Sequence, residues 1–323
     1  MTDPVDDWLA HCPDPATDPL VGMREVGLLE PAADYAAIAR VKAALVERTG
    51  LLGVGGVWGG RQLVFRHFLS FGTAAQKAAW AGRGLAVGIS EPKVGAHPKL
   101  LTTRAEAVAG GFRITGQKAW VSNGPSADAI IVFAITAEAA GRKRYSAFIV
   151  PRGTAGLTTA AMPGFHALRP SEHCLLTLDG CVVPADAMLG EAGTAYERMA
   201  LPFRDVEDAV GSFGTLGALR YAVGRFSGAV VEQTEELGAV VALIAVFAAG
   251  AAAVVASLDA GRFRTGDATL VGLRVLALSI MERLRALGLA AAVDVLGDLD
   301  AVMGIARGPR LARQVALGEA ALR

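Results

Sequence analysis

Residues 105–128 read AEAVAGGFRITGQKAWVSNGPSAD, and their pattern decides the fold class. Apolar and polar residues alternate on both sides of Gly110-Gly111, and Asn123-Gly124 closes the run. A period of two, punctuated by such dipeptides, marks antiparallel strands with one face buried. The same texture continues in DAIIVFAIT, YSAFIVPRG, GLTTAAM and CLLTLDGCVVP, the last broken by Asp179-Gly180. Together they predict a β domain over 85–192, an antiparallel barrel or sandwich. Trp120 and Ser122 stand just ahead of the Asn-Gly turn. Read alone, the pairing is what a buried tryptophan beside a turn serine gives; it is also what a planar ligand needs, one aromatic face and short polar donors set by rigid strands.

On either side the period changes to that of a helix. DYAAIARVKAALVERTG, 34–50, places Tyr35, Ile38, Val41, Leu45 and Val46 on one face and stops at Gly50. GTAAQKAAW, 72–80, starts a helix capped near Thr73. Helical spacing returns after 193, near 196–232, 237–260, 266–296 and 309–322. The predicted architecture is α–β–α, of the α+β class. A shortened N-terminal helical domain spans 1–84, the β domain 85–192, and an antiparallel helical bundle 193–323.

Composition narrows the function. Lys+Arg and Asp+Glu are both 31 in 323 residues, which gives no electrostatic footprint for nucleic acid. Cys12, Cys174 and Cys181 have no CxxC spacing and sit near no histidine cluster, so reduced thiols are expected, with no metal. The acidic, proline-broken start MTDPVDDWLAHCPDP is unlike a signal or transit peptide, and a cytoplasmic protein is expected. Residues 237–258 carry no charge, and roughly 20 apolar residues can cross a bilayer. Nine of these 22 are alanine, however, and small residues at 242, 245, 249, 252 and 256 follow helical spacing. The expectation is a central helix of a soluble bundle, with no membrane span.

The stretch 89–128, ISEPKVGAHPKLLTTRAEAVAGGFRITGQKAWVSNGPSAD, resembles the middle domain of the acyl-CoA dehydrogenase family nearly residue for residue. SAFIVPRGTAGL and LTLDGCVVPADAMLGEAG resemble that family's next two signatures, and the likeness runs from about 68 to 222. The resemblance implies FAD as cofactor, an acyl-CoA or acyl-carrier thioester as substrate, and an electron-transfer acceptor. It places Trp120 over one face of the flavin, Ser122 at the N5 edge and Ser90 at the pyrimidine edge. Gly95 falls in the tight turn where backbone amides approach phosphate.

Several family features are altered. The Ser-Asp that follows the glycine is Ala96-His97 here, with His97 expected at the surface. In many members the base is a glutamate near the C-terminus, and IARGPRLAR puts Ala306 in its place. A minority carry it on the first long helix of the C-terminal domain, and DVEDAVGSFGTLG, 205–217, aligns Glu207 with that glutamate. The bland alternative for Glu207 is a solvated carboxylate among Arg204, Asp205 and Asp208. Also missing are the Phe-Gly turn and the Gly-Gly motif that the family lends to a neighbouring subunit's FAD. The resemblance therefore implies a flavin-dependent dehydrogenase subunit, in an oligomer that includes a second acyl-CoA dehydrogenase-type chain. The competing implication is a non-catalytic structural or regulatory paralogue with an incomplete FAD site.

Overall fold

The computed structural model describes residues 3–225, 233–288, 293–305 and 307–323. Four helices precede the sheet: α1 (Pro4–His11), α2 (Tyr35–Thr49), α3 (Leu52–Phe68) and α4 (Ala74–Trp80). Gly50 ends α2 in the left-handed region at φ 72°, as its lack of Cβ allows. Thr73 and Gln76 close a full capping box at the start of α4. Sequence reasoning assigned no helix to the proline-broken N-terminus, yet α1 forms with Pro4 in its first turn and Asp3 as its cap.

Eight strands follow: β1 (Leu85–Gly88), β2 (Arg104–Val108), β3 (Gly111–Ser122), β4 (Ala129–Ala139), β5 (Arg142–Pro151), β6 (Leu157–Ala161), β7 (His173–Pro184) and β8 (Met188–Leu189). Their order is β6-β7-β3-β2-β4-β5-β8, with β1 also on β4. The pairing is mainly antiparallel, as expected, with two parallel exceptions: β1 runs parallel to β4 through four residue pairs and Arg104 pairs Ile135 in parallel. A strand delivered from a helical segment is free of the hairpin constraint that forces antiparallel neighbours. β4 is buried on both faces, which explains its unbroken apolar run. Ile131, Phe133 and Ile135 join the helices in one core, while Ile130, Val132 and Ala134 meet Leu176 and Leu178 in a second. Cys174 and Cys181 are free and buried there.

A five-residue π-turn, Tyr196–Ala200, leads into α5 (Leu201–Gly224). Then come α6 (Thr234–Asp259), α7 (Ala268–Ala286), α8 (Val293–Gly304) and α9 (Arg307–Ala321). The single helix expected over 266–296 is instead two, α7 and α8, with Gly288 at φ 76° just past the end of the first. The expectation for 237–258 also changes. α6 buries Val240, Ile244, Phe247, Ala251, Val254 and Val255, but its other face, from Gly238 through Ala249 to Ala256, is exposed. It is an outer helix and not a central one. By length and composition alone it could cross a membrane. That exposed face is mostly alanine and glycine but also carries Val241 and Val246.

Glycine sets how closely the helices meet. A Cβ on Gly217 of α5 would lie 2.4 Å from the Ala43 carbonyl oxygen of α2, and one on Gly55 of α3 would lie 2.7 Å from Val46. Under the sheet an ion pair fixes the loop after β1. Lys118 Nζ reaches Glu91 Oε1 at 3.0 Å, both side chains being buried. Thr103 N donates to Glu91 Oε1 at 2.9 Å, and Thr102 N and Oγ1 donate to Oε2 at 2.7 and 2.8 Å. Burial alone would raise the Glu91 carboxyl. The Lys118 ammonium and the threonine bonds outweigh it and hold the carboxyl down at about 2, from the ordinary 4.5.

Gly217→Ala is expected to lower stability by about 1–3 kcal/mol, the usual cost of overpacking, in a denaturant melt. The Glu91 shift has a definite sign. A depressed carboxyl contributes stability above 4.5 that is lost as pH falls toward 2. The unfolding midpoint of the wild type should therefore drop across that window. Glu91→Gln should lower the midpoint at neutral pH and flatten the acid slope.

Candidate functional site

The polar surface around Trp120 is built by an irregularity in β3. Register against β7 slips between Lys118 and Val121, so the strand bulges and Trp120 takes φ 60°. A bulky residue at positive φ is a true outlier, and a bulge re-aims the side chain it carries. The ring leaves the sheet, 42% exposed, with its edge against Phe165 at 5.2 Å and 80°. His173 lies behind at 6.4 Å. Ser122 ends β3 exposed, and Ser90 is half-buried. The Ser90 carbonyl is bound by Ala119 N at 2.8 Å, which ties the Ser90 loop to the strand of Trp120. Neither serine hydroxyl is engaged by another of the described residues.

This donor set fits a flavin ring: a half-exposed aromatic held against its own backbone preference, with two free hydroxyls on the same strand and the loop bound to it. Gly95, at φ 59°, has nothing within 4 Å of where a Cβ would be. Its amide donates to Glu91 O at 3.0 Å, so the turn contributes shape and not that N–H. His97 is exposed, as expected. Asn123, at φ 57°, stitches the strand to the helices. Its Nδ2 donates to Gly56 O at 3.3 Å, and its Oδ1 accepts from Ser171 Oγ at 3.1 Å.

Helix α5 carries Glu207. Its acidic neighbours are spent: Asp208 pairs with Arg310 at 2.8 Å and Arg313 at 3.0 Å, while Asp205 takes Arg313 at 2.8 Å and the Thr265 hydroxyl at 2.7 Å. Among the described residues Glu207 makes no hydrogen bond, and its side chain is exposed. Desolvation pushes its carboxyl up, Asp208 adds to the rise, and Lys42, Arg310 and Arg204 oppose it.

Sequence reasoning missed Lys42. Its stem lies on glycines of two helices. Cβ atoms on Gly55 and Gly59 of α3 would meet it at 3.2 Å, and one on Gly214 of α5 at 3.1 Å. The signal was present: GVGGVWGG spaces glycines so that α3 turns bare faces toward both neighbours. Ala306 and the segment 226–232, where the Phe-Gly turn was sought, lie outside the described residues.

Residues 86–181 match the family model of the acyl-CoA dehydrogenase middle domain. Rice isovaleryl-CoA dehydrogenase (Oryza sativa subsp. japonica), named as mitochondrial, is 32% identical over 182 residues, covering 54% of this chain and 44% of that protein. The chain thus spans under half the length of the curated relatives it matches. The fold extends further. Butyryl-CoA dehydrogenase from Megasphaera elsdenii superposes with a TM-score of 0.80 at 19% identity, over 100% of this chain and 99% of that one. A glutaryl-CoA dehydrogenase from Mycobacterium smegmatis, solved in complex with FADH2, gives 0.70 at 21% identity over 87% and 80%. Residues 86–181 therefore carry the acyl-CoA dehydrogenase middle domain, and the chain around them shares the fold of the solved acyl-CoA dehydrogenases.

Proposed function

We propose that the chain is a flavin-dependent dehydrogenase subunit that desaturates an acyl thioester between Cα and Cβ. The observation that carries this reading is Trp120, turned out of the sheet by the β3 bulge with the unengaged hydroxyls of Ser90 and Ser122 near it, and Glu207 on α5 is a carboxylate left without a hydrogen-bond partner. FAD, when bound, supplies the acceptor for a hydride from Cβ. Trp120 would cover one face of the ring, and the two serine hydroxyls would bond its polar rim. Glu207 takes the proton from Cα, and its lack of internal hydrogen bonds leaves both oxygens available for that transfer. The raised carboxyl is a better-matched base than an ordinary exposed glutamate, and the neighbouring cations keep its ionised form accessible.

We further propose that the site is completed by a second chain of the same family. The Phe-Gly and Gly-Gly motifs are missing from the sequence, and Ala306 replaces a glutamate. Two lost charge-assisted contacts to a diphosphate would weaken binding by a factor of about a hundred to ten thousand. The Ala96-His97 replacement supports the alternative, a non-catalytic paralogue, because it removes a hydroxyl beside the cofactor loop. Flavin content separates the two.

Purified alone, the chain should carry little FAD by its visible spectrum, and co-expression with a full-length family member should restore it. A stoichiometric yellow homomer that oxidises an acyl-CoA unaided would end the two-chain reading, and a complex that stays colourless would favour the paralogue. Trp120→Ala should lower flavin occupancy of the complex, and unchanged occupancy removes Trp120 from the site. Glu207→Gln should slow solvent deuterium exchange at Cα of a bound acyl-CoA about 10²–10⁴-fold, the usual worth of a general base. In the wild type that exchange should rise with pH through an apparent pKa above the ordinary 4.5.

A further inference from the structure

His173 has no role in the chemistry described above, yet the register of the sheet sets it beside Ser122. The two stand directly opposite on β7 and β3, one pair beyond Cys174 and Val121. Opposite residues of an antiparallel pair point to the same face, with Cβ atoms about 4.5–5.5 Å apart. Val121 and Cys174 are wholly buried, so Ser122 and His173 turn to the other face. There the imidazole meets the edge of Trp120 at 6.4 Å and 73°. Phe165 closes the group, 5.0 Å from His173 and 5.2 Å from Trp120.

Packing accounts for the shape of that side chain and not for its chemistry. Nδ1 is buried and bonds nothing among the described residues, and Nε2 is in no hydrogen bond either. A phenylalanine would fill the same space against Phe165 and Trp120 without an orphaned nitrogen, which folded proteins seldom leave unsatisfied. Burial pulls the imidazole below its ordinary 6.5; the Ser171 carbonyl, outside hydrogen-bond geometry, opposes the fall and Arg169 adds to it. At neutral pH the ring is therefore uncharged, with one nitrogen a donor and the other an acceptor. Beside it the Ser122 hydroxyl is also unengaged. Two free polar groups on one strand pair, next to an aromatic turned outward, suit a flat ligand with a hydrogen-bonding edge. A phosphate at this place would call for a cation instead.

We propose that His173 is a further flavin-contacting residue, whose imidazole hydrogen-bonds the same edge of the ring as Ser122. The proposal rests on the flavin reading given above and adds a residue to that site.

The test is FAD affinity, by titration of flavin-stripped protein, in whichever form carries FAD, the chain alone or the two-chain complex. His173→Phe keeps the ring contacts and removes both nitrogens. His173→Gln loses the ring and keeps a donor and an acceptor near the place of Nε2. A hydrogen bond to the flavin predicts that the phenylalanine variant binds FAD about three- to tenfold more weakly, with the glutamine variant within about twofold of wild type. A buttress for Trp120 and nothing more predicts the reverse order. Should either variant fail to fold, carbethoxylation of wild-type His173, read by mass spectrometry, gives a second measurement, and bound FAD should slow it. Affinity that follows the ring, equal effects of both substitutions, or carbethoxylation indifferent to FAD overturns the role of His173 and leaves the flavin reading standing. A wild type that takes up no FAD in either form overturns both.

Discussion

Gly217 carries no side chain, so α5 can rest with its backbone against the Ala43 carbonyl of α2. A methyl group there would push the two helices apart, and close-packed interiors have no slack to absorb the shift. The seat of α5 on α2 also leaves Asp205 and Asp208 to the arginines of α9. The same closeness brings the stem of Lys42 across to Gly214. One wall of the site is thus a product of helix spacing, and its chemistry follows from which residues the spacing leaves without partners.

The opposite wall obeys a different constraint. A strand normally spends its side chains on the two faces of its sheet, and a one-residue slip would exchange them. β3 uses a slip locally. Lys118 goes inward to Glu91, Trp120 leaves the sheet, and Val121 returns to the core. The buried pair beneath holds the Ser90 loop at a fixed height relative to the ring. Asn123 then joins the strand end to α3, so the two walls are coupled by a few hydrogen bonds and not by a broad apolar contact at that point.

Much of this was legible in the sequence, for physical reasons that differ by element. α2 could be read to its last residue because Ile38, Leu45 and Val46 repeat at helical spacing and Gly50 stops them. The antiparallel hairpin β2–β3 could be read because alternation and Gly110-Gly111 agree. The parallel β1–β4 pairing could not, since parallel partners are chosen by distant chain and leave no turn between them. Glu207 stood out by its place in a motif, but its isolation from Asp205 and Asp208 depends on arginines a hundred residues away. Lys42 was invisible for a simpler reason. A single lysine on an alanine-rich helix looks like a solvated charge until the glycines of α3 and α5 are known to face it.

The bulge at Trp120 has a consequence for how this chain can change. Glycine adopts a positive φ without penalty, whereas a tryptophan held there costs on the order of 1–3 kcal/mol. Stability alone would never retain the ring, and its neighbours Phe165 and His173 recover only part of the loss through edge contacts. Under the proposed flavin role, a ring bound against Trp120 would offset that cost. In a descendant that no longer bound a planar ligand, drift toward a small residue at 120 would be downhill, and the loss of this one ring would be an early mark of an abandoned site.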